Sequence, residues 1–262
     1  MDAQGVFAVF GPYMVLFALI LARISALVVT TPFFNSQTIP MPVKMGLVGI
    51  LTLFVMILRP QLPPIGQLET LRVIGLIGAE MLIGALMGTA VSIAFGALGM
   101  AGQLIGTQMG LSMANLMDPI SFQQTGLMGQ VLNILALLLF LVFDGHLMML
   151  RALFESFELA PMASFAPRTG QILTDLILLG GSVFEIGLRM AFPVVVAILF
   201  INFGLAIIAR TVPQVNVFQL GFIITIGLGL LVMAYSLPGF GRLFHTVVDS
   251  SIRAALRMAD AV

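Results

Sequence analysis

Residues 190–209 read MAFPVVVAILFINFGLAIIA, twenty consecutive positions without an Asp, Glu, Lys or Arg. As a helix, about 20 such residues at 1.5 Å each cover the ~30 Å hydrocarbon core of a bilayer. The run has company: residues 3–22, 24–43, 81–117, 119–143 and 211–241 are equally free of charge. The 262-residue chain is 60% hydrophobic and only 8% charged, with a mean hydropathy of +1.15, whereas a soluble domain carries roughly a quarter charged residues. A single charge at mid-bilayer costs about 2.5 to 3.5 kcal/mol, so the neutral runs mark the embedded segments. The chain reads as an all-α integral membrane protein, one membrane-embedded domain over residues 1–262.

The runs predict about six hydrophobic helices or helical hairpins, near 6–30, 43–58, 72–98, 127–150, 174–208 and 215–236, the second being short for a full span. Proline punctuates the connections: Pro32, Pro40 and Pro42, then Pro60, Pro63 and Pro64, then Pro161 and Pro167. The amino end carries Asp2 and no basic residue before its apolar stretch, so no removable signal peptide is expected. Residues 239–262 alternate Arg242, Asp249, Arg253, Arg257 and Asp260 with Leu243, Phe244, Val247, Val248 and Ile252, the pattern of an amphipathic helix lying in the membrane interface. With six crossings and the amino end inside, Arg59, Arg72, Arg151, Arg168, Arg242, Arg253 and Arg257 fall inside, against Lys44 and Arg210 outside. The positive-inside rule then places both termini in the cytoplasm.

Several classes of function are excluded by what the chain lacks. Eleven basic residues balance eleven acidic ones, and no basic cluster exists to hold nucleic acid. Without cysteine there is no disulfide, no Cys-ligated zinc and no thiol nucleophile. The two histidines, His146 and His245, are about a hundred residues apart, and no nucleotide, hydrolase or metalloprotease motif occurs. No enzymatic activity, metal or cofactor is expected. Asp144-Gly145-His146 reads as a helix end and turn rather than an acid–base pair.

The informative stretch is GQLIGTQMGLSMANLMDP at 102–119. Gly102, Gly106 and Gly110 recur every four residues, which puts them on one helix face and lets another backbone approach. Gln103, Thr107, Gln108, Ser112 and Asn115 lie between them, uncharged polar groups that need water or a partner. Met109, Met113 and Met117 repeat at the same spacing on another face, unbranched thioethers that fit either an ordinary Met-filled core or a surface that repacks around varied neighbours. The combination predicts a neutral, deformable closure element over Gly106–Met117, ended by Asp118-Pro119. It does not resemble an ion filter, which uses charged rings or ordered carbonyls. A four-residue similarity between Gln37-Thr38-Ile39-Pro40 and Arg210-Thr211-Val212-Pro213 hints at a structural repeat.

The embedded charges need partners. Glu185 and Arg189, four apart in the favourable order, are expected to form a buried ion pair. Glu80 lacks a local partner; Arg23, Arg72 or a neighbouring subunit are the candidates, and the subunit interface is the expectation. Arg210, with Gln214 and Asn216, reads as a helix-end anchor or a contact for a partner.

Three blocks, GQLIGTQMGLSMANLMDP at 102–119, ALLLFLVFDGH at 136–146 and NFGLAIIARTVPQVNVFQLGF at 202–222, resemble in order the FliR proteins of the bacterial flagellar export gate, whose injectisome counterpart is the T subunit. The resemblance implies assembly with P- and Q-type subunits, and contact with a B-type subunit, in a helical gate of the inner membrane at the flagellar basal body. It also implies hairpins partly above the bilayer plane, unfolded substrates crossing the centre, and a plug formed by the loop from about Gly106 through Asp118. Asp144 stands where asparagine is common in that family. The resulting expectation is a gate subunit that lines and plugs a polypeptide passage. Its rivals are the injectisome T subunit, a small-solute secondary transporter, for which only Glu80 and Asp118 offer coupling carboxylates, and a purely structural scaffold.

Overall fold

The computed structural model describes residues 3–36, 39–58, 70–111, 126–162, 169–211 and 216–261. Among them the secondary structure is entirely helical: α1 (Ala3–Thr30), α2 (Pro32–Asn35), α3 (Met41–Leu58), α4 (Thr70–Gln108), α5 (Leu127–Val142), α6 (Gly145–Leu159), α7 (Thr169–Thr211) and α8 (Val217–Asp260). Five helices, α1, α3, α4, α7 and α8, are long and apolar enough to cross a membrane. The broken pair α5–α6, bent by 65°, makes a sixth candidate. The all-α membrane architecture read from the charge-free runs is thus the observed one.

Lengths depart from that reading. The third predicted helix, placed near 72–98, continues to Gln108, and α4, α7 and α8 hold 39, 43 and 44 residues. At 1.5 Å per residue each is about 60 Å long, twice the hydrocarbon thickness. The prolines inside α1, α7 and α8, at Pro12, Pro193 and Pro238, do not end them. Neighbouring helices can re-satisfy a freed carbonyl in an apolar setting.

The chain forms two compact units. The first is drawn from Met1–Ser92, His146–Leu179 and Asp249–Val262. Its core contains Leu16, Leu19, Ile20, Ile24 and Leu27 of α1, with Met87 of α4, Leu153 of α6 and Met258 of α8, all essentially inaccessible. α4 lies close along α1 because its facing residues are small. A Cβ at Gly84 would fall on the Arg23 carbonyl, and one at Gly88 would lie 2.9 Å from the Leu27 carbonyl. One turn further on, Ser92 donates to the Thr30 carbonyl at 2.6 Å. Gly84, Gly88 and Ser92 therefore form a four-residue small-residue ladder, the device that lets membrane helices touch backbone to backbone.

The second unit is drawn from Ile93–Gly145 and Gly180–Val248. Phe95 packs against Phe140 and Phe244, with ring centroids 5.4 and 5.6 Å apart. Gly187 brings α7 onto α4, its Cβ position being 3.0 Å from the Ala97 carbonyl. Much of α7 and α8 remains uncovered, with Phe192, Phe200 and Phe203 on the one and Ile223 and Leu231 on the other exposed.

The carboxyl-terminal segment corrects one expectation. Residues 239–260 do form an amphipathic helix, but as the continuation of α8. Their apolar face is buried in protein: Phe240 and Phe244 in the second unit, Ile252, Ala255 and Met258 in the first. Alternation of charge with hydrophobicity specifies one wet and one dry side and does not say whether protein or lipid supplies the dryness.

Candidate functional site

The 102–119 stretch divides into two kinds of glycine. Gly102 and Gly106 face α5: a Cβ at Gly102 would lie 2.7 Å from the Gly129 Cα and 2.8 Å from the Met128 carbonyl, and one at Gly106 would lie 3.1 Å from the Met128 Cβ. Both are close-packing positions, as their spacing suggests. Gly110, expected on that same packing face, instead ends the helix. Its φ is +80°, its N–H donates to the Thr107 carbonyl at 3.1 Å, and the Leu111 N–H reaches back to the Gly106 carbonyl at 3.0 Å. This pair of bonds is the Schellman arrangement, in which a left-handed residue just past the helix end satisfies two orphan carbonyls. Glycine fits there because it has no Cβ to clash.

Of the two roles that its spacing leaves open for Met109, a core or a deformable closing surface, burial in the second unit favours the core. A Cβ at Gly229 of α8 would collide with its Cε, and the Thr225 hydroxyl lies 3.4 Å from its carbonyl oxygen. Met109 therefore anchors the end of α4. Gln103, Thr107 and Gln108 are exposed on this chain. Beside this helix end is a cavity of about 540 Å³ bordered by Gln108, Gly110, Asn202, Ala206, Phe222 and Thr225 among others. Among the described residues that line it, none is charged. Ser112, Met113, Asn115, Met117 and Asp118, the rest of the predicted plug, lie outside the described residues.

The break between α5 and α6 falls at Phe143 and Asp144, and Gly145 and His146 open α6. Asp144 adopts φ +54°, a left-handed conformation that short polar side chains such as Asp and Asn tolerate, so an aspartate suits the position. Gly145 is required by the Phe140 ring, whose nearest atoms would be 2.5 Å from a Cβ there.

Glu80 was expected at a subunit interface, and the structure corrects this: it is buried inside the first unit against Arg23, with Nε to Oε2 at 2.5 Å. Arg23, fully inaccessible, spends its other donors on the end of α6. Nη1 donates to the Ser156 carbonyl at 2.9 Å and hydroxyl at 3.2 Å, and Nη2 to the Ala160 carbonyl at 2.9 Å. Its guanidinium also lies 4.3 Å from the centroid of the Phe157 ring. A cation at a helix carboxyl end meets both the unpaired carbonyls and the negative pole of the helix. The sequence offered Arg23 only as one possible partner; its signal was a lone arginine between two charge-free runs.

Glu185 and Arg189 do pair, at 2.6 Å, but their side chains are 60% and 66% exposed. Within this chain the pair is not buried but sits on an uncovered face of α7. Arg210 is exposed in the last turn of α7. Among the described residues, no group of three or more His, Asp or Glu gathers that would hold a metal.

The sequence profile of the bacterial export proteins, family 1, matches residues 14–251. The flagellar biosynthetic protein FliR of Pectobacterium carotovorum is 38% identical over 221 residues, 82% of each chain. That of Escherichia coli K12 is 33% identical over 222 residues, 83% of this chain and 82% of its own. The Yop proteins translocation protein T of Yersinia pestis is 32% identical over 206 residues, 78% of each. A match that takes in α4 with its glycine stop, the broken α5–α6 pair, all of α7 and most of α8 covers the elements that make this fold, and the chain belongs to the bacterial export proteins, family 1.

Proposed function

We propose that this chain is a subunit of the flagellar type III protein export gate, acting in the bacterial inner membrane with P- and Q-type subunits and in contact with a B-type subunit. It lines and closes the passage through which unfolded polypeptide leaves the cytoplasm. The observation that carries the reading is the family match over residues 14–251, with relatives named as flagellar biosynthetic proteins at 38% and 33% identity.

The site chemistry suits that task. Unfolded substrates vary in sequence, so a passage that must accept them gains from surfaces that are polar but neutral. Gln103, Thr107, Gln108 and Asn202 are such groups, and all four are exposed. The Schellman turn at Gly110 fixes where α4 stops, and Met109 pins that end into the core, so the chain from Ser112 onward departs from an anchored point. In this reading the segment Ser112–Asp118 supplies the closure. The chain itself does no bond chemistry, and energy enters through other components. A secondary-transport reading loses support because Glu80, one of its two possible coupling carboxylates, is engaged by Arg23.

The test is deletion of the gene with plasmid complementation. Motility and secretion of flagellar proteins should be lost and restored, and affinity isolation should recover P- and Q-type subunits. Shortening Ser112–Met117 by a few residues should leave the assembly intact and make the membrane leaky to small solutes. A tight membrane around an assembled, shortened variant removes the closure assignment. A second reading, the injectisome T subunit, is favoured by the 32% identity to the translocation protein T; it predicts that deletion spares motility and abolishes effector secretion.

A further inference from the structure

In the first unit, α1 and α3 enclose a slot of about 420 Å³, within the range of small-molecule sites, roughly 300 to 1,000 Å³. Val28 and Val48 form its buried floor, and Leu21 and the exposed Met45 extend its sides. From Leu21 to Val28 the α1 wall runs about 10 Å along the helix axis. Lys44 and Asn35 line the slot at the end where α1 has finished and α3 begins.

Lys44 is the only lysine in the sequence, and no Asp or Glu occurs between Asp2 and Glu69. Among the described residues it has no ion-pair partner, while Glu80 of the same unit is engaged by Arg23. An unpaired ammonium beside an apolar slot, on two helices each able to cross a membrane, has one chemistry that matches both ends. We propose that the slot binds an anionic phospholipid, with one acyl chain lying along Leu21, Val28 and Val48 and the phosphate held by Lys44 and Asn35.

A lipid matches the slot at both ends because it is itself divided in this way. The acyl chain lies along the apolar walls of the slot. The headgroup supplies the negative charge that this part of the chain lacks. A phospholipid of the same chains but with a zwitterionic headgroup fills the slot equally well and gains less from Lys44. One basic residue near an anionic lipid surface corresponds to about a fivefold preference.

The test uses the full-length chain in neutral detergent, offered phosphatidylglycerol and phosphatidylcholine of identical acyl chains, with retained lipid counted by native mass spectrometry. Phosphatidylglycerol should be retained about fivefold more strongly. Lys44→Gln should bring the ratio close to one, and Lys44→Arg should keep it. Lys44 is half-buried near the start of α3, so these variants should fold. In cells, a photoreactive residue in place of Met45 should capture phospholipid. Equal retention of the two lipids by the native chain, a preference unchanged by Lys44→Gln, or capture of a polypeptide at position 45 each overturns the proposal.

Discussion

Arg23 and Glu80, 57 positions apart in sequence, meet at 2.5 Å inside the first unit with almost no solvent access to either. The contact ties α1 to α4, and the remaining guanidinium donors tie both to the end of α6. Removing one partner leaves an uncompensated buried charge, which costs about 3 to 5 kcal/mol, while replacing both by apolar residues of similar volume is often neutral. Glu80→Leu and Arg23→Met singly should therefore lower the amount of folded protein strongly. The Glu80→Leu, Arg23→Met double variant should recover part of what Glu80→Leu loses, and not all, because the Ala160 carbonyl at the end of α6 still loses its donor. Thermal unfolding of the four proteins in detergent checks this; a double variant as damaged as the sum of the singles rules out the pairing account.

Gly102, Gly106 and Gly110 should respond differently to alanine. At Gly102 the added carbon meets the backbone of α5 at 2.7 and 2.8 Å, and backbone cannot rotate away, so Gly102→Ala should be the most damaging. At Gly106 it meets one side-chain carbon at 3.1 Å, which α5 can accommodate by a small shift; Gly106→Leu, by contrast, should force the helices apart and prevent assembly. Gly110→Ala introduces a left-handed non-glycine residue at about 1 to 2 kcal/mol. Yield of intact membrane-extracted protein should rank Gly106→Ala above Gly110→Ala above Gly102→Ala, and normal recovery of Gly102→Ala would contradict the close contact.

The turn at Asp144 makes a third case. Its φ of +54° is tolerated by Asp and Asn and poorly by β-branched residues. Asp144→Asn should leave stability unchanged within about 0.5 kcal/mol, while Asp144→Val should cost about 1 to 2 kcal/mol. Equal melting temperatures for the two variants would mean that the side chain, rather than the backbone conformation, sets this position.

Glu185 and Arg189 lie on an uncovered face of α7, so their pairing should matter more to the assembled complex than to the isolated chain. In detergent, where water screens the pair, an exposed pair at this spacing contributes about 0.3 to 0.5 kcal/mol, and Glu185→Gln should barely move the melting temperature. In membranes each single neutral substitution should reduce the amount of assembled protein, because one charge loses its partner, and the double apolar substitution should be milder. A large loss of melting temperature in the isolated Glu185→Gln chain would show that the pair is structural within the chain after all.

Residue spacing along one helix is ambiguous in a known way. A glycine every four residues was legible at 102, 106 and 110, yet the third is a stop signal whose role depends on φ. The same spacing at Gly84, Gly88 and Ser92 carries the α1–α4 contact and went unread, because small residues in a hydrophobic helix are common and only a partner backbone gives them meaning. Met109 shows the same ambiguity: a methionine row fits a yielding surface or a core equally well, and the covering side of α8 places this one in the core.

The sequence alone determined that the chain is helical and membrane-embedded, and where charge-free helices begin. Those properties follow from transfer free energies summed over contiguous residues, which no tertiary arrangement alters. It also determined one helix break, the Asp-Gly turn at 144–145, which acts through its own backbone, whereas whether a proline ends a helix is not set locally, since Pro12, Pro193 and Pro238 all stay inside theirs. Only the tertiary structure decided which charges meet, which helix face is covered by protein and where α4 ends. A buried ion pair such as Arg23–Glu80 depends on two segments 57 residues apart arriving at one place. The carboxyl-terminal amphipathic face is dry because other helices lie against it. These are properties of packing between remote segments, and periodicity within one segment states the demand for a partner without naming it.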